Sequence, residues 1–130
     1  MTTDEREIRE LIARWARAVR EEDRDGIRAD HAEDMLMFDV PPPFQSRGLP
    51  AYMETWELFF STLPKPIVFD FSEIQVVAGS DVAFATATGR CIWTNKQGER
   101  EPLDFRLTMG LQKVNGRWKV RHEHHSVPAD

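Results

Sequence analysis

The dipeptide Asn115-Gly116 lies between two stretches rich in β-forming residues and predicts a two-residue hairpin turn. A type I′ turn requires positive φ angles at both central residues, and asparagine and glycine adopt them at the least cost. With a two-residue loop, Val114 pairs with Arg117, and the register of the whole hairpin follows from that pair. Opposed residues share a face of the sheet, and successive residues alternate between faces.

One predicted face of this hairpin is apolar except near its end. It carries Phe105, Leu107, Met109, Leu111, Trp118, Val120, His122, His124 and Ser126. The opposite face is polar and carries Asp104, Arg106, Thr108, Gln112, Lys119, Arg121, Glu123 and His125. We therefore expect the first two histidines to point into the interior and the other two residues of the His-Glu-His-His run to point outward.

The rest of the chain predicts helices first and strands afterwards. Apolar residues at helical spacing predict a long amphipathic helix to about residue 21, and a short helix is predicted over residues 23–32. A short strand is predicted over Met35–Val40, and a third helix near Pro50. In the strands that follow, the apolar residues change parity near Ser72-Glu73, which predicts a bulge. This order predicts an α+β domain, in which a curved antiparallel sheet packs against N-terminal helices around an internal pocket.

The composition is that of an ordinary globular protein. With 130 residues, of which 41% are hydrophobic and 30% charged, we expect one domain over residues 1–130. The net charge of −5 disfavours nucleic acid and anionic membranes as partners. The single cysteine, Cys91, excludes an intramolecular disulfide. The N-terminal residues lack the apolar segment of a secretion signal, so we expect a cytoplasmic protein.

The order of elements and the segment Gly116–Ser126 resemble the nuclear transport factor 2-like superfamily, which includes SnoaL-like polyketide proteins and ketosteroid isomerases. The pattern Gly-x-Trp-x-Val-x-His-x-His-x-Ser in this segment is especially similar to the association domain of calcium/calmodulin-dependent protein kinase II and its stand-alone bacterial relatives. The resemblance covers nearly the whole chain and implies a cone-shaped fold with an internal pocket. It constrains fold more than activity, because this fold carries enzymes, binding proteins and assembly modules.

The resemblance also implies the positions of site residues. Asp39 matches the general base of ketosteroid isomerases, and Trp15 and Met109 stand where those enzymes place two oxyanion donors. Because a methionine has no proton to donate, the resemblance does not extend to steroid isomerisation. Tyr52 matches a pocket histidine of the kinase association domain, and Thr86 matches a pocket arginine.

Two interpretations stay open for most of these residues. Asp39, between apolar residues and a proline run, is either a general base or a turn aspartate that accepts hydrogen bonds from backbone amides. His122 and His124 are either polarising donors near it or core histidines with local hydrogen-bond partners. Arg90 is the anchor for an anionic ligand if it points inward, and otherwise a rim or dimer-contact residue. Trp56, like Trp15, is either plain core or a wall of the cavity.

A metal site is a further interpretation of the two histidines. Together with Asp39, His122 and His124 have the composition of a two-histidine, one-carboxylate set. Two histidines two residues apart are a weak signal without a third ligand at a suitable spacing, so we predict no bound metal and no cofactor.

The sequence therefore favours a small-molecule pocket protein of the SnoaL-like type. If it is an enzyme, which the sequence leaves open, we expect proton transfer (isomerisation, cyclisation or dehydration) with Asp39 as base and His122 or His124 as donor. The alternative is a non-catalytic module that forms homo-oligomers and keeps a vestigial or regulatory pocket. Opposite charges on the predicted outer face, at Arg106, Arg121, Glu123 and His125, predict a homodimer.

Overall fold

A computed structural model describes residues 1–63 and 65–129, and these contain three helices and six strands. The helices are α1 (Thr3–Arg20), α2 (Arg24–Ala29) and α3 (Leu49–Thr62). The strands are β1 (His31–Phe38), β2 (Ser46–Arg47), β3 (Phe69–Ala78), β4 (Val82–Thr94), β5 (Arg100–Val114) and β6 (Arg117–Ser126).

The six strands form one curved, open sheet in the order β2-β1-β6-β5-β4-β3. Strands β3 to β6 are antiparallel neighbours, as predicted. Strand β1 instead pairs in parallel with β6, so the sheet is mixed rather than wholly antiparallel. The predicted α+β class with N-terminal helices on the sheet is confirmed. The face under the helices is called the helix-covered face below, and the opposite one the outer face.

Helix α1 forms because its sequence supplies both a cap and an apolar stripe. The Thr2 hydroxyl accepts a hydrogen bond from the Glu5 amide at 3.1 Å, which satisfies one of the free amides of the first turn. The apolar residues at helical spacing are fully buried against the sheet: Ile8, Leu11, Ile12, Trp15 and Val19. Each such side chain contributes about 1.5–3 kcal/mol when it leaves water, so the stripe fixes the helix on the sheet.

Strand β3 bends where the sequence predicts it. The register with β4 shifts between Ser72 and Gln75, and Glu73 has a φ angle of 53°. The bulge moves the inward positions from odd to even numbers, so that Phe69 and then Ile74 face the core side. The predicted bulge is therefore confirmed.

The closing hairpin has the predicted turn but not the predicted register along its whole length. Asn115 and Gly116 have φ angles of 51° and 76°, as a type I′ turn requires. The pairs Val114–Arg117 and Leu111–Val120 follow the prediction. The register shifts immediately beyond them.

A second bulge, at Arg121, corrects the predicted facing of the histidines. Gly110 pairs with His122 rather than with Arg121, so strand β6 contains one residue more than β5 at this point. One extra residue exchanges the two faces for everything that follows. Glu123 is consequently fully buried, whereas His124 is exposed. The prediction that His122 and His124 point into the interior was therefore wrong.

None of the described helices combines the length and the apolar character needed to cross a membrane.

Gly89 faces Phe105 across the β4–β5 pair, and a Cβ at this glycine would lie 2.5 Å from Cζ of the ring. We expect Gly89→Ala to displace the ring and to lower the free energy of unfolding by about 1–3 kcal/mol, as overpacked core positions do. The matched control is Gly110→Ala, where a Cβ would lie 3.5 Å from its nearest neighbour. Urea denaturation measures both, and a Gly89→Ala protein as stable as the wild type would contradict this close packing.

Candidate functional site

A pocket of about 340 Å³ lies between α3, the segment after β1 and the adjoining ends of β4 and β5. Ligand pockets in proteins are typically about 300–1,000 Å³, so this one suits a small molecule. Its walls are largely aromatic and aliphatic, with contributions from Trp56, Phe59, Phe69, Trp93, Leu103 and Phe105. Asp39 and His125 line the same pocket and bring charge to it.

The parallel pairing of β1 and β6 brings Asp39 beside His125. Phe38, the last residue of β1, pairs with His124, so the residues that follow them, Asp39 and His125, lie side by side on the helix-covered side of the sheet. Asp39 Oδ1 is 3.3 Å from Nδ1 of the His125 ring and accepts the amide hydrogen of Val40 at 2.8 Å. Asp39 is thus both a turn aspartate and a pocket residue. Its Oδ2 has no hydrogen-bond partner among the described residues.

The His125 imidazole is held between two carboxylates. Its Nδ1 faces Asp39, and its Nε2 donates to Glu123 Oε1 at 3.0 Å. Burial alone would lower the pKa of His125, but its hydrogen bonds to these two acids raise the pKa from 6.5 to about 10. His125 is therefore an imidazolium at neutral pH, with Nε2 hydrogen-bonded to Glu123 and Nδ1 in an ion pair with Asp39.

Glu123 lies directly behind His125 and is fully buried. It accepts the Tyr52 hydroxyl hydrogen at 2.7 Å, together with contacts from His31 and His125. Burial would raise the pKa of this carboxyl group, but the two histidines lower it to about 2. Glu123 is thus an ionised carboxylate whose charge is compensated inside the core.

Trp15 completes what we call the buried polar chain, which consists of Trp15, Tyr52, His31, Glu123, His125 and Asp39. Nε1 of Trp15 donates to the Tyr52 hydroxyl oxygen at 3.0 Å. Burial and the neighbouring Glu123 charge raise the pKa of Tyr52 well above its usual value, so the phenol stays a donor. Trp15 and Tyr52 were predicted to bind a ligand, but they lie behind the pocket and position Glu123 instead.

The structure separates the other residues that the sequence singled out. Trp56 lines the pocket with Asp39, as predicted. Thr86 and Arg90 alternate with buried neighbours and lie on the outer face, where the arginine pairs with Asp104 at 2.7 Å. Met109 is fully buried opposite Glu123 and does not line the pocket.

The predicted catalytic trio does not converge. Asp39 lines the pocket, whereas the His122 ring makes a 2.8 Å hydrogen bond with the Leu36 carbonyl group on the outer side of β1. His124 is exposed on the same side. Sequence reasoning missed Glu123 and His125, and Gly110 was the available signal, because a glycine within a strand often marks a bulge.

Among the residues described, no group of three or more histidine, cysteine, aspartate or glutamate side chains is arranged to hold a metal ion. The predicted absence of metal and cofactor stays a prediction.

Comparison with known proteins extends these observations. A model of the SnoaL-like domain matches residues 8–130. An NTF2-like protein of unknown function from Pseudomonas putida KT2440 is 38% identical, with a TM-score of 0.88 over 100% of this chain and 90% of that one. Among proteins with curated descriptions, none matches the chain.

Two more distant structures share the fold. A ketosteroid isomerase-like protein from Erwinia carotovora atroseptica SCRI1043 is 19% identical, with a TM-score of 0.80 and 100% of both chains covered. A candidate calcium/calmodulin dependent protein kinase II association domain from Xanthomonas campestris is 18% identical, with a TM-score of 0.78 over 96% of this chain and 88% of that one. At such identities the likeness shows the fold alone.

Replacing His125 by glutamine should remove a pH-dependent part of the stability. Because folding raises the pKa of His125 from 6.5 to about 10, its contribution is fully present below pH 6.5 and is lost as the pH rises through 10. The difference in unfolding free energy between wild type and His125→Gln, measured by urea denaturation, should shrink across that window. His124→Gln, on the same strand but exposed, is the control. If the difference in unfolding free energy between wild type and His125→Gln does not change with pH, His125 is not held as a cation between Asp39 and Glu123.

Proposed function

Because the chain belongs to the SnoaL-like domain family, we propose that it binds a small, largely apolar molecule in the Asp39 pocket and accepts a proton from it. The resemblance to the nuclear transport factor 2-like superfamily is confirmed, and the pocket of this chain lies between α3 and the sheet. The proton-transfer step is the part of the proposal that needs a test.

The observation that carries the proposal is the state of the Asp39 carboxylate. One of its oxygens is held by His125 and by the Val40 amide, which fixes the orientation of the group. The other oxygen has no hydrogen-bond partner among the described residues, in a pocket whose walls are mostly apolar. A carboxylate that is oriented in this way and has one free oxygen can act as a general base.

The rest of the buried polar chain supports this role without reaching the ligand. His125 keeps a positive charge beside Asp39, and Glu123 keeps His125 protonated from the other side. Nε2 of His125 donates to Glu123, and its Nδ1 faces Asp39. The unpartnered indole N–H groups of Trp56 and Trp93 are buried, so the described residues offer no exposed free donor of the kind that stabilises an enolate oxygen. The proposed role is therefore general-base proton transfer, and steroid isomerisation is no part of it.

A model reaction tests Asp39 without knowledge of the substrate. Nitrobenzisoxazole is a flat, apolar compound whose ring opens when a base removes one C–H proton, and the coloured phenolate product is read by absorbance. General bases typically contribute about 10²–10⁴-fold, so we expect Asp39→Asn to lower the protein-catalysed rate by about 10²-fold.

The matched control is Asp34→Asn, the same substitution at an exposed carboxylate of strand β1 that pairs with Arg121 outside the pocket. It should leave the rate unchanged. If Asp39→Asn and the wild type open the ring equally fast, the general-base role is wrong.

A second candidate function, homo-oligomeric association, is favoured by an apolar patch on the outer face. Val77 pairs with Phe84 across β3 and β4, and Val82 lies two residues from that phenylalanine on the same face. These side chains are 57%, 50% and 57% exposed, respectively. The predicted contact residues Glu123 and His125 are buried and cannot take part. We propose a homodimer through the outer face, centred on this patch.

Phe84→Glu should place a charge in the proposed interface and shift the protein toward a 15.1 kDa monomer in analytical ultracentrifugation. The matched control is Phe44→Glu, the same change at a side chain that is 95% exposed in the loop after β1. It should leave the sedimentation unchanged. A wild-type protein that is monomeric at high micromolar concentration would rule out the dimer.

A further inference from the structure

We propose that the natural ligand of the Asp39 pocket is a neutral or cationic molecule that carries a hydrogen-bond donor, and specifically an amine that is protonated at neutral pH. This inference rests on the binding part of the proposed function, because it assigns the chemistry of the molecule that the pocket holds, and proton abstraction by the paired Asp39 oxygen is no part of it. It follows from which polar atoms of the pocket are free and which are already engaged.

Apart from the buried indole N–H groups of Trp56 and Trp93, the N–H and O–H donors that line the pocket are engaged within the protein. The two N–H groups of His125 face the carboxylates on either side of the ring. The hydroxyl groups of Thr55, Thr62 and Thr94 donate to backbone carbonyl groups of α3 at 2.6, 3.0 and 3.5 Å, respectively. A ligand that needed donors from this pocket would have to break these hydrogen bonds first.

The other polar groups that line the pocket, the Cys91 thiol and two indole N–H groups, are poor donors for a ligand. Burial, with the nearby charges of Asp39 and Asp104, raises the pKa of the Cys91 thiol to about 12, so it stays protonated and is at most a weak donor. The indole N–H groups of Trp56 and Trp93 have no hydrogen-bond partner, but both nitrogens are buried, so a ligand would reach them only if a neighbouring side chain moved. Asp39 Oδ2 is therefore the main polar atom that the described residues leave to a ligand, and it is an acceptor.

The charge around this oxygen favours a cation. No lysine or arginine is among the described residues that line the pocket, and the one positive group, His125, is neutralised from both sides. The Asp39 side chain is 23% exposed, so an arriving ammonium group does not have to lose all of its water. A ligand carboxylate would instead lie beside a carboxylate of the same sign.

The aromatic wall adds a second attraction for a cation. Trp56, Phe59, Phe69, Trp93 and Phe105 line the pocket whose charged groups are Asp39 and His125. Aromatic rings attract cations through their quadrupole, and cages of such rings recognise substituted ammonium groups in other proteins. An amine with an apolar body can therefore pair with Asp39 while its carbon skeleton packs on the rings.

Three compounds with one body and three head groups test the proposal: phenylbutylamine, phenylbutanol and phenylbutyrate. Calorimetric titration of the wild-type protein at neutral pH gives the three affinities, and the NMR signals of the His125 ring show whether each compound binds beside Asp39. Hydrogen bonds to charged groups are roughly twice as strong as neutral ones, so we expect the amine to bind about tenfold tighter than the alcohol. The carboxylate should bind most weakly.

The Asp39→Asn variant should abolish the preference for the amine over the alcohol, whereas the Asp34→Asn control should keep it. Equal affinity of the wild type for all three compounds, or tightest binding of phenylbutyrate, would overturn the inference and leave pocket binding intact. A preference for the amine that survives in Asp39→Asn would also overturn it. If none of the three compounds shifts the His125 signals, the proposed small-molecule function itself fails.

Discussion

The structure depends on the neutralisation of one buried negative charge, that of the Glu123 carboxylate. Removing an ion from water costs several kcal/mol even after the protein relaxes, so a fully buried Glu123 requires partners with good geometry. Tyr52 from α3, His31 from β1 and His125 from β6 supply them. Helix α3 and strand β1 are thereby tied to β6, which is distant from both in sequence. A change that removes one partner would leave the Glu123 charge less well neutralised in the core.

His125 connects the buried Glu123 carboxylate to the pocket. The charge of Glu123 keeps the His125 ring protonated, and the protonated ring pairs with Asp39. The Asp39 oxygen that faces His125 also accepts a hydrogen bond from the Val40 amide, so the carboxylate has a fixed orientation. The buried polar residues therefore do more than stabilise the fold. They also hold Asp39 so that its free oxygen, Oδ2, faces the largely apolar pocket. This links the packing of α3 against β1 and β6 with the proposed acid–base and ligand-binding roles.

Local signals in the sequence predicted the local structure well. The Asn115-Gly116 turn, the α1 stripe and the β3 bulge each arise from neighbouring residues, and each is confirmed. The facing of the His-Glu-His-His run could not be predicted from hydrophobic periodicity, because polar residues occupy both parities there and one extra residue reverses them. Asp39 was identified through the family resemblance. Its pairing with His125 depends on the parallel contact of β1 with β6, two strands that are far apart in sequence.

The most direct test of this account is the protonation state of the His125 ring, read from its nitrogen-15 NMR shifts. At about pH 8, above the ordinary histidine pKa of about 6.5, an isolated imidazole is largely neutral. We predict that His125 is still an imidazolium at this pH, because its pKa is about 10, and that both of its ring nitrogens are protonated. A neutral His125 ring at that pH would contradict the ion pairs of His125 with Glu123 and Asp39.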